Sequence, residues 1–170
     1  MVFTEQSMED IFYILELTKG VPQLESHHPE GDVFNHSLQT YFWAIRESND
    51  TDLILAALLH DVGKAALLQG HDDIGSDMIR PYTSQKTTWL VSQHMRVWTL
   101  LKGEMRRPGK VKALATHPWF PHLVLLARWD KMARNPRKAV TYDRYRIINQ
   151  LNRRGMENYL CEGYDQPTST

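Results

Sequence analysis

A chain of 170 residues with 42% hydrophobic and 24% charged residues is long enough for one domain with a proper core, and its composition is ordinary for a soluble globular protein. No stretch approaches the ~20 apolar residues of a membrane span, and the N-terminus lacks the basic and apolar regions of a signal peptide. The single Cys161 excludes an internal disulfide and fits a reducing compartment. We therefore expect a cytoplasmic protein with no membrane partner.

The net charge of zero conceals an uneven distribution of charge along the chain. Residues 1–95 carry 5 Lys or Arg and 14 Asp or Glu, whereas residues 96–154 carry 15 Lys or Arg and 3 Asp or Glu. A basic segment of this kind indicates either an anionic substrate held by cations or a solvated helix face that pairs with the acidic half. The sequence leaves both interpretations open.

The first half of the chain predicts helices joined by short connections. A Ser-x-x-Asp start signal at Ser7 opens the first helix, which ends before Gly20. Asp32 is expected to cap a second helix over 33–47, because its carboxylate can accept from the free backbone N–H groups of the first turn.

A tight turn over 48–50 then leads into a helix over about 51–63, closed by Gly63. The later predicted elements are a helix over 72–79, a helix capped by Ser84 and ending near 101, a basic loop over 103–110, a helix from Pro118 to about 134 and a last helix from Asp143 toward 154. No alternating run of convincing length indicates a sheet. The predicted fold is all-α, a single-domain helical bundle over 1–162 with a frayed tail over 163–170.

The adjacent residues His60 and Asp61 close the apolar run 53–59. An apolar helix seldom ends on two metal-type ligands by accident. His36 lies 13 residues before the turn near Asn49, and His60 lies 11 residues after it. At about 1.5 Å per residue, an antiparallel pair of these helices brings the two histidines to within about 3 Å of the same height. The spacing predicts that their side chains lie next to each other.

Asp130 closes a second apolar run, over 123–129. A carboxylate among such neighbours needs a partner, because burial of an unpaired charge is costly. Together with His36, His60 and Asp61, it makes a mixed set of nitrogen and oxygen donors suited to Mn²⁺, Fe²⁺, Co²⁺, Ni²⁺ or Zn²⁺. The residues therefore predict a buried metal site inside the bundle.

This ordered series resembles the H…HD…D signature of the HD-domain superfamily of metal-dependent phosphohydrolases. Three strings strengthen the resemblance. Residues 58–64 (LLHDVGK) are similar to the LLHDIGK element. Residues 28–33 (HPEGDV) and 70–75 (GHDDIG) are similar to the HPEGDVxxHT and GHExxG elements of HD domains attached to tRNA nucleotidyltransferases. The resemblance covers about 28–135 and implies an HD-type helical bundle.

The resemblance also implies a ligand set. The implied ligands of one divalent transition metal are His36, His60, Asp61 and Asp130. His71 and His94 fall where relatives with two metals place the ligands of the second ion, with Asp61 bridging. Because His71 lies only 10 residues beyond Asp61, the one-metal and two-metal alternatives both stay open.

The implied activity is hydrolysis of a phosphate ester, in a nucleotide or nucleic-acid-derived molecule, by a metal-activated water. Asp61 and Lys64 are the expected catalytic residues, although Lys64 is equally suited to complete a helix end as a surface cation. Basic residues beyond His94 are expected to bind the substrate phosphate. The candidates are Arg96, Lys102 and Arg106, with Arg107 and Lys110 in the same segment.

Two other functions stay open. HD-type mixed-valence di-iron oxygenases, such as myo-inositol oxygenase and the oxygenases of phosphonate breakdown, use a similar six-residue pattern and act on a small phosphonate or polyol. The string 127–131 (ARWDK) resembles the phosphonate-type members. The third candidate is a non-catalytic module that binds nucleotides or nucleic acid.

Overall fold

The computed structural model describes the backbone of residues 2–162 and the side chains of residues 2–156. This part of the chain contains eight α-helices, one 3₁₀ turn and no strand, which confirms the all-α prediction. In chain order the elements are α1 (Glu5–Glu16), α2 (Val33–Glu47), α3 (Thr51–Leu59), the 3₁₀ turn (Val62–Ala65), α4 (His71–Ile79), α5 (Gln85–Leu101), α6 (Pro108–Ala115), α7 (Phe120–Met132) and α8 (Arg144–Glu162). None of these helices is long and apolar enough to cross a membrane. The predicted tail over 163–170 lies outside the described residues.

Helix α3 forms the centre of the bundle. Every residue from 53 to 59 is buried, because a helix that is apolar on all sides is stable only when other elements surround it. It packs against α2, α5 and α7. The end of α3 therefore carries His60 and Asp61 into the interior of the protein, where both are buried.

The hairpin of α2 and α3 begins and turns as predicted. Asp32 caps α2 and its Oδ1 accepts from the N–H of Asn35 at 2.8 Å. Asp50 caps α3 in the same way and accepts from the N–H of Leu53 at 2.9 Å. Lys86 on α5 also donates to Asp50, which ties the start of α3 to a neighbouring helix.

The end of α3 differs from the prediction. The helix expected over 51–63 stops at Leu59, and the chain continues into the 3₁₀ turn. This turn brings Gly63 against the backbone of α4, so closely that an added Cβ would lie 2.0 Å from the carbonyl oxygen of His71. Only a glycine allows this approach, which holds the first residue of α4 close to the end of α3.

The first helix begins earlier than its start signal predicts. The N-cap is Thr4, whose hydroxyl accepts from the N–H of Ser7 at 3.1 Å, while the Ser7 hydroxyl accepts from the N–H of Thr4 at 2.9 Å. Ser7 is therefore the third residue of the helix, where it completes a capping box with Thr4, and is not the cap itself.

The prediction of a basic loop over 103–110 is partly wrong, because helix α6 begins within this range. Pro108 occupies the first turn of α6, where its fixed φ favours a helix and its missing N–H costs nothing. Helix α7 similarly begins at Phe120, with Pro121 in its first turn in place of the predicted Pro118.

Candidate metal centre

Five elements converge at the end of α3 and bring together all six predicted ligand residues. The first of two groups consists of His36 from α2, His60 from the end of α3 and Asp130 from α7. Asp130 Oδ1 lies 3.1 Å from His36 Nε2 and 4.0 Å from His60 Nε2. All three residues are buried.

The second group consists of Asp61, His71 and His94. Asp61 Oδ1 lies 3.2 Å from His71 Nε2 and 3.4 Å from His94 Nε2, and the two ring nitrogens are 3.2 Å apart. The short spacing between Asp61 and His71 does not keep His71 away from the site, because Gly63 of the 3₁₀ turn packs directly against the backbone of His71.

Asp61 links the two groups, because its oxygens face in different directions. Oδ1 faces the second group, whereas Oδ2 lies 3.4 Å from His60 Nε2 and 3.7 Å from His36 Nε2. A carboxylate in this position can bind one ion through each oxygen. The six donors thus form two adjacent groups, and one oxygen of Asp61 faces each group.

Backbone carbonyl groups orient all four histidines, and that of Ala133 lies 2.9 Å from His36 Nδ1. The Nδ1 atoms of His60, His71 and His94 lie 3.0, 2.8 and 2.7 Å from carbonyl oxygens three residues earlier in the chain. Donation from Nδ1 leaves each Nε2 free to bind a metal, which is the usual arrangement of metal-binding histidines. His60 Nε2 is buried and has no hydrogen-bond partner among the described side chains, as expected of a donor atom suited to a metal.

Electrostatics at the centre favour a bound cation. Burial alone would raise the pKa values of Asp61 and Asp130, but the facing histidines outweigh it and hold both carboxyls below their ordinary range. Burial lowers the pKa of His60 to about 4, so that this ring is neutral at pH 7. The centre therefore combines two buried carboxylates with one neutral imidazole. Burial alone would lower the pKa values of His36 and His71, but Asp130 and Glu30 raise that of His36 to about 10 and Asp61 raises that of His71. These two rings must release a proton when a metal binds.

Glu30 is a buried residue at the site that the sequence did not single out. Its Oε1 lies 2.6 Å from His36 Nδ1 and 2.9 Å from His28 Nδ1. Burial alone would raise the pKa of Glu30, but the hydrogen bonds from these two rings lower it to about 2. The HPEGDV string contains this residue, although its spacing alone does not indicate which ring it contacts.

A cleft of about 810 Å³ opens above the centre. We call it the metal-site cleft. Its lining residues include Asp61, Asp130 and His71 at the centre and, around it, Pro22, Gln23, Leu24, His27, His28, Lys64, Leu68, Met95, Trp98, Lys102, Lys131 and Arg134. Volumes of this order accommodate a small organic molecule.

Four cations line the metal-site cleft. Lys64 donates to Asp61 Oδ2 at 2.7 Å and to Gln23 Oε1 at 2.9 Å, so it belongs to the centre and is not simply a surface cation. Lys102 also lines the cleft, as its predicted role in substrate binding requires. Sequence reasoning missed Lys131, which follows Asp130 on α7, and Arg134, which lies just beyond the end of α7 with a guanidinium nitrogen 3.7 Å from Asp130 Oδ1.

The other predicted substrate cations lie elsewhere. Arg96 donates to both carboxylate oxygens of Asp73, at 3.0 and 2.9 Å, and is not among the residues lining the metal-site cleft. Arg106 is exposed and also lies outside that lining, as do Arg107 and Lys110. Proximity to His94 in sequence thus does not direct Arg96 toward the site.

Comparison with known proteins assigns the chain to a family. Residues 33–135, a span that contains all six residues of the centre, match the HD domain. The chain therefore belongs to the HD domain family, whose members are generally metal-dependent hydrolases.

Curated relatives include multifunctional CCA proteins. That of Hahella chejuensis is 34% identical over 86 residues, which cover 46% of this chain and 20% of the relative. That of Halorhodospira halophila is 43% identical over 68 residues, or 36% of this chain and 16% of the relative. The matched part of the chain thus spans a fifth or less of the length of these relatives.

Proposed function

We propose that this protein is a metal-dependent phosphohydrolase that cleaves a phosphate ester in a nucleotide or a nucleic-acid-derived molecule. The observation that carries the proposal is the position of Asp61, with one oxygen toward His36 and His60 and the other toward His71 and His94. This arrangement supports a centre of two divalent ions with Asp61 as the shared ligand. We assign His36, His60 and Asp130 to one ion and His71 and His94 to the other.

The donor set of imidazole nitrogens and carboxylate oxygens suits Mn²⁺, Fe²⁺, Co²⁺, Ni²⁺ or Zn²⁺. When bound, such ions supply a hydroxide nucleophile at neutral pH and neutralise negative charge on the phosphoryl group. The buried position of the centre strengthens these interactions, because bulk water does not screen them.

The protein's own cations complete the site. Lys131 and Arg134 flank Asp130, and Lys102 and Lys64 line the same metal-site cleft. We propose that Lys102, Lys131 and Arg134 hold the phosphate oxygens, since cations oriented before the reaction stabilise the charge that develops in it. Lys64, which donates to Asp61 Oδ2 at 2.7 Å and so contacts the centre directly, is the proposed catalytic cation.

The nature of the substrate rests on similarity. The multifunctional CCA proteins and the strings shared with HD domains of tRNA nucleotidyltransferases support a nucleotide or nucleic-acid-derived ester. The cationic lining of the cleft agrees with any phosphorylated substrate.

The test joins elemental analysis of the purified protein to a screen of phosphate esters with Mn²⁺, Co²⁺, Ni²⁺ and Fe²⁺. We expect bound metal and turnover, both strongly reduced by His60→Ala and by Asp61→Ala. His122→Ala is the matched control, because this ring lies outside the residues lining the cleft. Wild-type rates of ester cleavage in the Asp61→Ala variant would exclude the proposal.

A di-iron oxygenase is the second candidate, and the convergence of all six donors favours it as much as it favours a two-metal hydrolase. Two bound irons per chain with substrate-dependent O₂ uptake, and no phosphate release, would select the oxygenase. Nucleic-acid binding with a steep salt dependence and no turnover would instead indicate the non-catalytic module.

A further inference from the structure

The metal-site cleft has an apolar part that the metal chemistry does not use. Leu24, Leu68, Met95 and Trp98 line it, and they come from three separate segments of the chain. Leu24 precedes α2, Leu68 follows the 3₁₀ turn, and the other two lie on α5. Residues so far apart in sequence form one surface only because the fold brings their segments to the same opening.

Three of these side chains are largely exposed. The exposed fractions are 69% for Leu24, 68% for Leu68 and 41% for Met95. Large apolar side chains gathered at a cleft and bordered by polar residues are typical of ligand-binding surfaces. The apolar surface continues into the centre, because Trp98 Nε1 donates to Asp130 Oδ2 at 3.3 Å.

We propose that the metal-site cleft selects a phosphate ester whose organic part is an aromatic ring system, such as a nucleobase, seated on Leu24, Leu68, Met95 and Trp98. This inference rests on the proposed function and deepens it. The phosphate lies toward the cations and the metal centre, and the ring lies on the apolar surface. Trp98 and Met95 favour an aromatic partner through ring stacking and sulfur–aromatic contact. Esters of aliphatic polyols lack an aromatic group that would use this surface.

A small organic group suits this surface better than a second protein does. The apolar residues share the cleft with four cations and the buried centre, whereas the core of a protein–protein interface is depleted of charge. A stable interface also buries about 800 Å² on each partner. The volume of the cleft is instead typical of a pocket that binds a small ligand and contacts it at both ends.

Adjacent leucines provide a matched pair of variants. Leu67 and Leu68 are exposed to similar extents, 58% and 68%, but only Leu68 lines the metal-site cleft. We therefore compare Leu68→Ser with Leu67→Ser in the metal-loaded protein. Each is assayed with 1-naphthyl phosphate and with glycerol 2-phosphate.

Leu68→Ser is expected to raise KM for 1-naphthyl phosphate by about 5- to 10-fold, the effect of losing part of one leucine contact. The rise in KM for glycerol 2-phosphate should be much smaller, because any disturbance of the Leu68 carbonyl oxygen, which lies 2.8 Å from His71 Nδ1, affects both esters equally. Leu67→Ser should change neither value. Each variant is compared with the wild type on the same ester, so the different reactivities of the two leaving groups do not affect the result. Equal changes for both esters, or no change for either, would overturn the inference.

A second measurement separates this inference from the proposed function. If the wild-type protein cleaves none of the screened phosphate esters, including these two, the proposed function fails, and binding of 1-naphthyl phosphonate to the metal-loaded protein is measured by calorimetry. Weaker binding in Leu68→Ser but not in Leu67→Ser supports the apolar subsite, and equal binding in all three proteins rejects it. A wild-type dimer that Leu68→Ser dissociates would assign the surface to a second copy and also reject it.

Discussion

Glu30 Oε1 lies 2.6 Å from Nδ1 of His36, and both side chains are fully buried. The same ring directs its Nε2 toward Asp130 Oδ1, at 3.1 Å. A carboxylate that accepts from Nδ1 keeps the proton on that nitrogen, fixes the orientation of the ring and makes the opposite nitrogen a stronger ligand. Glu30 is therefore expected to act on the metal through His36 as a positioning residue.

The first prediction concerns this contact. Glu30→Gln keeps the shape of the side chain but removes its charge, and we expect metal affinity to fall by about 10-fold, at the lower end of the range for such partners. Metal titration of the folded protein measures the change, and the absorption spectrum of the Co²⁺-loaded protein reports altered ligand geometry. Glu25→Gln, at an exposed position of the same segment, should change neither. An unchanged affinity in folded Glu30→Gln would show that the Ala133 carbonyl oxygen, 2.9 Å from His36 Nδ1, suffices alone.

The second prediction concerns the number of ions. Because the donor atom of His94 belongs only to the second group, His94→Ala should reduce the metal content from two ions per chain to one. Elemental analysis after dialysis provides the count, and Gln93→Ala serves as the control from the same helix. A wild-type protein that retains a single ion, unaffected by His94→Ala, would favour the one-metal alternative.

The third prediction concerns the approach of the 3₁₀ turn to α4. A methyl group at Gly63 would meet backbone atoms of both His71 and Gly75, which flexible side chains cannot relieve. We expect Gly63→Ala to lower the free energy of unfolding by about 3 kcal/mol, at the upper end of the usual cost of overpacking. Gly109→Ala is the control, because a Cβ there meets no atom within 4 Å. Urea denaturation compares the two, and equal stability would contradict the packing argument.

The fourth prediction concerns pH and the start of α3. Burial alone would raise the pKa of Asp50, but Lys86 and the N–H of Leu53 lower it below its ordinary value of 3.8. The folded protein therefore releases this proton more readily than the unfolded chain does. The stabilisation is complete above the unfolded pKa and is lost as the pH falls through the lower folded value.

Asp50→Ala should accordingly cost about 1–2 kcal/mol near pH 7, the usual effect of losing a helix cap. The difference from wild type should shrink as the pH falls below the ordinary carboxyl pKa. Asp50→Asn retains a capping oxygen and should lose less stability than Asp50→Ala does. Denaturation curves over a pH series test both statements, and a constant difference at all pH values would contradict them.

The sequence alone determined the helical class, the cap at Asp32, and the convergence of His36 with His60. These features depend on local rules: apolar periodicity, capping side chains and the fixed rise of a helix. An apolar run such as 53–59 has no stable position except the interior, so the two polar residues that follow it also become buried.

Only the tertiary structure decided which charged residues face the centre. Arg96 pairs with Asp73, whereas Lys131 and Arg134 line the metal-site cleft. Glu30 contacts Nδ1 of His36. The position of His71 likewise depends on the backbone contact at Gly63. Long charged side chains can reach several partners, and packing between distant segments selects one of them. Spacing along a single sequence does not contain that information, because it describes each helix but not the neighbours that the helix meets.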